Sequence, residues 1–287
     1  MSRILPSFAV PPRQHRGTMS KKHQKIIAIF IAYNAEQTLR EFYRMFPKHL
    51  VDGMILVDDA SADHTFALAQ ELGIPAYRNS INLGYGGNMK RAVALALLQG
   101  ADIIIDLHPD GEYKPTAITP ALKKIAEGAQ FVLGNRFIPF SAPLKSGMRV
   151  WKFIPIALLA LIDRLVLRIP LHDPHQGFRV YTRALFERVP FERNANGYLF
   201  SFEIIAQAAF QHLSIAEVPV ETHYSGKKRG ASLKHSIRYS LGTFKVLGLF
   251  LLARLGGRVT LFRTPHRSLA ERSRILSVGG VHGNPPM

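Results

Sequence analysis

The chain has no cysteine, so it forms no disulfide and offers no thiolate to a metal. That fits a protein of the cytosol. It is also short of acid: 20 Asp and Glu stand against 37 Lys and Arg, a formal charge of +17. Such an excess calls for anionic partners, whether nucleic acid, phosphorylated ligands or an anionic membrane face. No uninterrupted apolar run reaches the roughly 18 to 20 residues that span a bilayer, and the N-terminus lacks the apolar core of a signal peptide. The expectation is a protein that lies on a membrane at most. No internal repeat is visible, and no basic strand face is studded with aromatics, which weighs against a nucleic-acid-binding module. What is present is 287 residues, 47% hydrophobic and 10% aromatic, enough for one large domain or two small ones.

Residues 1–24 hold three prolines, several bases and no period, and read as a disordered basic leader. An all-apolar run at residues 26–32 then has the look of a strand covered on both faces. A second strand at 54–57 follows a helical stretch, and a short third strand falls near Ala76-Tyr77-Arg78. Strand, loop and helix in alternation predict a parallel α/β sheet of nucleotide-binding type. The segment Ile103-Ile104-Ile105 runs into Asp106, His108, Asp110 and Glu112, with Pro109, Gly111 and Pro115 forcing a tight loop. Ligands bind at that end of such a strand. Carboxylates two apart can converge on a magnesium or manganese ion that carries substrate phosphates, although a solvated acidic turn has the same composition.

Beyond Phe131-Val132-Leu133 lies Gly134-Asn135-Arg136-Phe137, and residues 145–171 are apolar with scattered bases. This stretch reads either as a helix packed on the sheet or as a basic amphipathic helix on a membrane, broken near Trp151 because of Pro155. A strand at 215–220 carries Pro219, which places it at a sheet edge. From Lys234 a helix shows Lys234, Arg238 and Lys245 opposite an apolar face, the composition of an in-plane interfacial helix. Residues 263–287, rich in Arg, Ser, Gly and Pro, read as a disordered tail.

Several short segments recur in a telling order. They are Tyr33-Asn34-Ala35-Glu36, residues 57–65 around Asp58-Asp59, Asn82-Leu83-Gly84, residues 134–137, residues 173–179, Gly197-Tyr198 with Phe202-Glu203, and residues 229–234. In that order and spacing the chain resembles the inverting family 2 glycosyltransferases of the GT-A fold. Within them it is similar to the dolichyl-phosphate mannosyltransferase-like, or polyprenyl-phosphate glycosyltransferase, branch, over about Lys25 to Leu255.

The resemblance implies a Rossmann-like nucleotide-diphospho-sugar transferase domain at 25–225, with a mostly parallel sheet. A basic amphipathic extension at 226–262 would follow it. Tyr33, Glu36, Asp58, Asp59 and Gly84 would line the nucleotide pocket. Asp110 and Glu112 fall at the second aspartate of the family's Asp-x-Asp and at a following glutamine, and would hold Mg2+ or Mn2+ against the donor diphosphate. His108 stands where the first aspartate belongs; imidazole suits manganese better than magnesium. Arg136, Arg149, Arg179, Arg229 and Lys234 take positions near the donor and acceptor phosphates.

The donor would be a GDP- or UDP-sugar. The acceptor would be a polyprenyl phosphate at the cytoplasmic face of the membrane, leaving open a separate membrane-anchor subunit. A lipid phosphate is already ionised and needs no strong base, whereas a sugar hydroxyl would need a carboxylate, for which Asp173 is the candidate by position. The rivals are a soluble relative acting on a saccharide, a nucleic-acid binder, and a non-catalytic scaffold in which His108 marks a decayed site.

Overall fold

The structure, a computed structural model, describes residues 23–142, 150–221 and 233–278. The leader, apart from its last two residues, lies outside them, as do Arg149 and Arg229; of Lys234 only the backbone is described.

Seven strands form one sheet: β1 Ile26–Ala32, β2 Gly53–Asp58, β3 Ala76–Arg78, β4 Ile103–Asp106, β5 Phe131–Asn135, β6 Arg179–Thr182 and β7 Ile215–Pro219. They lie in the order β3-β2-β1-β4-β6-β5-β7. All are parallel except β6, which runs against both its neighbours, with Arg179 opposite Asp106 on one side and Leu133 on the other. Proline at the end of β7 is tolerated because that strand is an edge, as the sequence indicates.

The helices are α1 Glu36–Met45, α2 Thr65–Glu71, α3 Gly84–Leu98, α4 Ile118–Ala126, α5 Val150–Leu167, α6 Arg183–Arg188, α7 Phe200–Phe210, α8 Leu233–Arg254 and α9 Leu269–Ser277. Alternate residues of β1 enter different cores. Ile27, Ile29 and Ile31 meet α3, α7 and α8, while Ala28, Phe30 and Ala32 meet α1, α2 and α4. A strand buried on both faces must be apolar throughout, hence the unbroken run. Phe30 anchors its side edge-on to Phe42 and Phe46, each 5.0 Å away.

Pro155 does not end α5, which continues through it in its first turns. Phe153, Ala160 and Leu167 of α5 face inward, while Ile154, Leu158, Leu161 and Leu165 face out. On α8, Thr243, Val246, Leu247 and Phe250 are buried, and Ile237, Leu241, Phe244, Leu251 and Leu252 are exposed. By length and composition alone, Ser236–Arg254 could cross a bilayer. Its inner face instead packs into the core shared with α7, so α8 belongs to the same body as the sheet rather than standing apart from it.

The expected tail needs correction. Residues 263–278 are ordered, and α9 lies against α3, whose glycine-, alanine- and methionine-rich surface is thereby buried almost all round. Ser268 caps α9 by accepting from the Glu271 amide at 3.2 Å. Arg272 explains why the composition misleads: its side chain is only 3% exposed. It donates to the carbonyls of Phe186 and Val189 at 2.7 and 3.0 Å and to the Glu192 carboxylate at 2.9 Å. Arg272→Ala strands those acceptors and should lower stability by about 2–4 kcal/mol in urea unfolding. A solvated tail would give a change within about 0.5 kcal/mol.

Candidate active site

The loops that leave the carboxyl ends of β1, β2, β3, β4 and β5, together with the loop entering β6, meet at one edge of the sheet. The first two are stitched to each other. Asn34, held at φ 51°, accepts the Ala62 amide at 2.9 Å, and its own amide donates to the Ser61 hydroxyl at 2.9 Å. The Ala35 amide donates to Thr65 and the Glu36 amide to Asp63, at 2.7 and 3.1 Å. Glu36 accepts the His64 amide at 3.1 Å. Tyr33 is left exposed above them.

Asp58 is fully buried. It accepts from the Ser61 hydroxyl and lies 3.3 Å from Arg78 Nε, and burial raises its pKa against the pull of Ser61 and Arg78. Asp59 is committed to the framework: Asn79 Nδ2, the Leu83 amide and the Gly84 amide donate to it at 2.6, 2.8 and 3.0 Å. Gly84 thus gives its amide to Asp59 rather than to a ligand. Its φ of +77° and the 2.8 Å from an added Cβ to the Asn196 carbonyl leave no room for a side chain. The amides of Gly86 and Gly87 go to the same carbonyl, at 2.7 and 3.2 Å. The glycines of the first turn of α3 therefore serve close approach of two backbones, and their amides are not a free phosphate cradle.

At the end of β4, Asp110 is exposed and accepts the Glu112 amide at 2.9 Å, a turn closed by Gly111 at φ 76°. Burial raises the pKa of Glu112, the charge of Asp110 raises it further, and Arg136 opposes both. His108 Nε2 lies 3.3 Å from the buried Asp106. Burial disfavours its charged form, but Asp106 and then Asp110 outweigh that and raise its pKa. The expected trio of His108, Asp110 and Glu112 is thus not assembled, because Asp106 competes for the imidazole.

Among the described residues no three His, Asp or Glu side chains form a ready cation cage. Asp110 and Glu112 alone, two carboxylates on one open turn whose mutual repulsion a cation would relieve, fit an ion completed by water and substrate phosphate.

Beyond β5, the Arg136 amide, Nε and Nη2 donate to Asp173 at 2.9, 2.8 and 2.8 Å. Asp173 is fully buried and Arg136 nearly so, and the Asp173 amide donates to Glu217 at 3.0 Å. A carboxylate locked in this way is a structural partner, which corrects its candidacy as a base. Arg179 is 2% exposed and makes one long contact, 3.4 Å to the Gly177 carbonyl. Burial works against its charge, yet the surrounding Tyr85, Tyr181 and Asp106 raise its pKa. Arg179 therefore lies beneath the site.

Sequence reasoning missed the tyrosines. Tyr85, its phenol pushed up to about 12 by burial, packs 5.5 Å from His108 and 5.1 Å from the exposed Tyr198, and Ser201 donates to it at 3.0 Å. Tyr181 donates to Asp106 at 3.4 Å. Only the alternation of β6, with Arg179 and Tyr181 on one face, hints at them.

The sequence profile of glycosyl transferase family 2 matches residues 27–190, which takes in β1 through β6 and every loop described above. The chain belongs to glycosyl transferase family 2. Among its relatives, polyprenol monophosphomannose synthase of Mycolicibacterium smegmatis is 24% identical over 78% of this chain and 86% of its own. The UDP-N-acetylglucosamine--dolichyl-phosphate N-acetylglucosaminyltransferase of Methanococcus voltae is 25% identical over 81% and 97%. In fold, the chain resembles glucosyl-3-phosphoglycerate synthase from Mycobacterium tuberculosis, solved with Mn2+, UDP-glucose and phosphoglyceric acid. The TM-score is 0.59, at 22% identity, covering 83% of this chain and 81% of that one.

This family 2 glycosyltransferase thus has the α/β architecture of GT-A enzymes, and its Arg136–Asp173 pair can be tested directly. Asp173→Asn removes the negative charge that the buried Arg136 guanidinium faces and should cost about 3–5 kcal/mol in urea unfolding. Unchanged stability with loss of turnover alone would instead mark Asp173 as a base.

Proposed function

We propose that the chain transfers a sugar from a GDP- or UDP-sugar to a polyprenyl or dolichyl phosphate, with inversion, at the cytoplasmic face of a membrane. One observation carries the choice of acceptor: the outward apolar residues of α5 and α8, two packed helices beside the loop that holds Asp173 and Arg179. Ile138 and Phe140 add to this face from the loop after β5. Exposed apolar helix faces carrying Arg164, Arg168, Arg238 and Lys245 suit an anionic lipid surface. The charge of +17 and the relatives named for polyprenol and dolichyl phosphates support the same reading.

In this reading the nucleotide lies across the loops of β1, β2 and β3, against Tyr33 and Glu36, with Gly84 and the buried Asp58 and Asp59 shaping the wall. Asp110 and Glu112 would hold Mg2+ or Mn2+, which when bound neutralises the departing diphosphate. The acceptor phosphate oxygen forms the new bond to the anomeric carbon, and the nucleoside diphosphate leaves with the electron pair of the broken bond. No proton must be removed from an ionised phosphate, in keeping with an Asp173 held by Arg136. Arg179 and Arg136 supply a fixed positive field under the two anions. Arg149, Arg229 and Lys234 are assigned to the acceptor phosphate by the family resemblance alone.

The test is incubation with labelled nucleotide sugar and polyprenyl phosphate in detergent with manganese. Chloroform-extractable label is expected, and Asp110→Asn should lower turnover about a hundredfold. Label that stays in the aqueous phase would assign a soluble acceptor instead. Separately, Leu158→Asp and Leu241→Asp should each weaken sedimentation with anionic vesicles about tenfold, as burial of a leucine contributes about 1.5–3 kcal/mol. Unchanged sedimentation would remove the membrane face.

A further inference from the structure

Asp163 is the single acid of α5, and it lies on the inner face with no solvent exposure. Burial raises its pKa, and His175 opposes the rise. His175 Nε2 stands 2.8 Å from Asp163 Oδ2, a contact that is an ion pair when the imidazole is protonated. The other ring nitrogen is 3.0 Å from the Tyr239 hydroxyl of α8. The imidazole also lies over Phe202 of α7 at 5.7 Å, with Tyr239 edge-on at 5.5 Å. One ring is thus gripped by α5, α7 and α8.

That ring sits in the loop 173–178, two residues beyond Asp173 and four before Arg179. The Tyr239 phenol faces the same charges: its pKa is raised by burial first, and Arg179 and Arg136 pull against that. Plain packing is a poor account of this arrangement. A buried ion pair generally adds little stability over an apolar replacement of the same size, and fixing one element in register with another is its best-attested use. Here the elements fixed together are the two helices with exposed apolar faces and the loop that approaches the acceptor.

We propose that Asp163, His175 and Tyr239 are positioning residues that set the 173–179 loop in register with α5 and α8, so that a lipid phosphate arriving along those helices meets a correctly placed acceptor seat. The inference rests on the lipid-phosphate reading of the acceptor. It assigns to three residues a role in acceptor use that donor binding does not share.

The test compares full-length Tyr239→Phe and His175→Gln with the wild type, using labelled nucleotide sugar, polyprenyl phosphate in vesicles, calorimetry with the nucleotide, and thermal unfolding. The KM for lipid phosphate should rise about fivefold in each variant, the effect of losing one buried hydrogen bond. Nucleotide affinity should stay at the wild-type value in both variants, and the unfolding midpoint of Tyr239→Phe should fall by no more than about 4 °C. Adding Asp163→Asn to His175→Gln should cost less than the sum of the two alone, because the pair acts as a unit. A wild-type KM for lipid phosphate in both variants would overturn the inference, as would an equal loss of nucleotide affinity. Wild type that binds nucleotide but labels no lipid would remove the acceptor reading itself, and the inference with it.

Discussion

The seam between β4 and β6 brings a buried aspartate and a buried arginine into register, and the site is built outward from it. Asp106 and Arg179 face one another in register across the antiparallel pairing, with Tyr181 and His108 against the same acid. The acid favours the charge of the arginine across the seam without an ion pair between them. Reversal of this one strand brings the start of β6 to the carboxyl ends of its parallel neighbours. The loop entering β6 therefore arrives where the donor loops already converge. From there it hands Asp173 to Arg136 and His175 to Asp163.

Most of the residues singled out by their chemistry turn out to hold loops rather than face solvent. Asp59 fixes the entry to α3, Asp63 and Thr65 fix the entry to α1, and Asp173 fixes the end of β5. This division suits a reaction in which leaving group and nucleophile are both anions. The protein has to hold positive charge still in a dry place, and buried arginines matched to acids do so without reorganising as charge moves. Asp110 and Glu112 remain on the open side, the right place for groups that share a cation with a substrate.

Strands with strong periodic or compositional marks were legible. The apolar run of β1 and the proline that marks β7 as an edge both follow from where a strand can lie, and neither depends on distant contacts. The order of the loops, and so the family, was legible for the same reason. Three features were not. Asp59 and Asp173 have the residue types of a ligand site, but their partners lie 24 and 37 residues away, and for His108 the spacing leaves open which of the flanking acids, Asp106 or Asp110, it meets. Arg272 belongs to an arginine-rich stretch that composition assigns to solvent, and only the carbonyls left open after α6 make its burial tolerable. Pro155 lies inside α5, where proline is costly by local rules, and the helix continues through it because Phe153, Ala160 and Leu167 on both sides of it are held in the core.

The account stands on a nucleoside-diphosphate sugar being held at the carboxyl ends of β1, β2 and β4 beside Asp110. Calorimetric titration with GDP-mannose, UDP-glucose and UDP-N-acetylglucosamine, each with and without manganese, tests this most directly. Saturable binding of at least one of them, tightened by manganese and with the manganese effect lost in Asp110→Asn, is the predicted result. No heat from any of the three, or affinity indifferent to both manganese and Asp110, would contradict it.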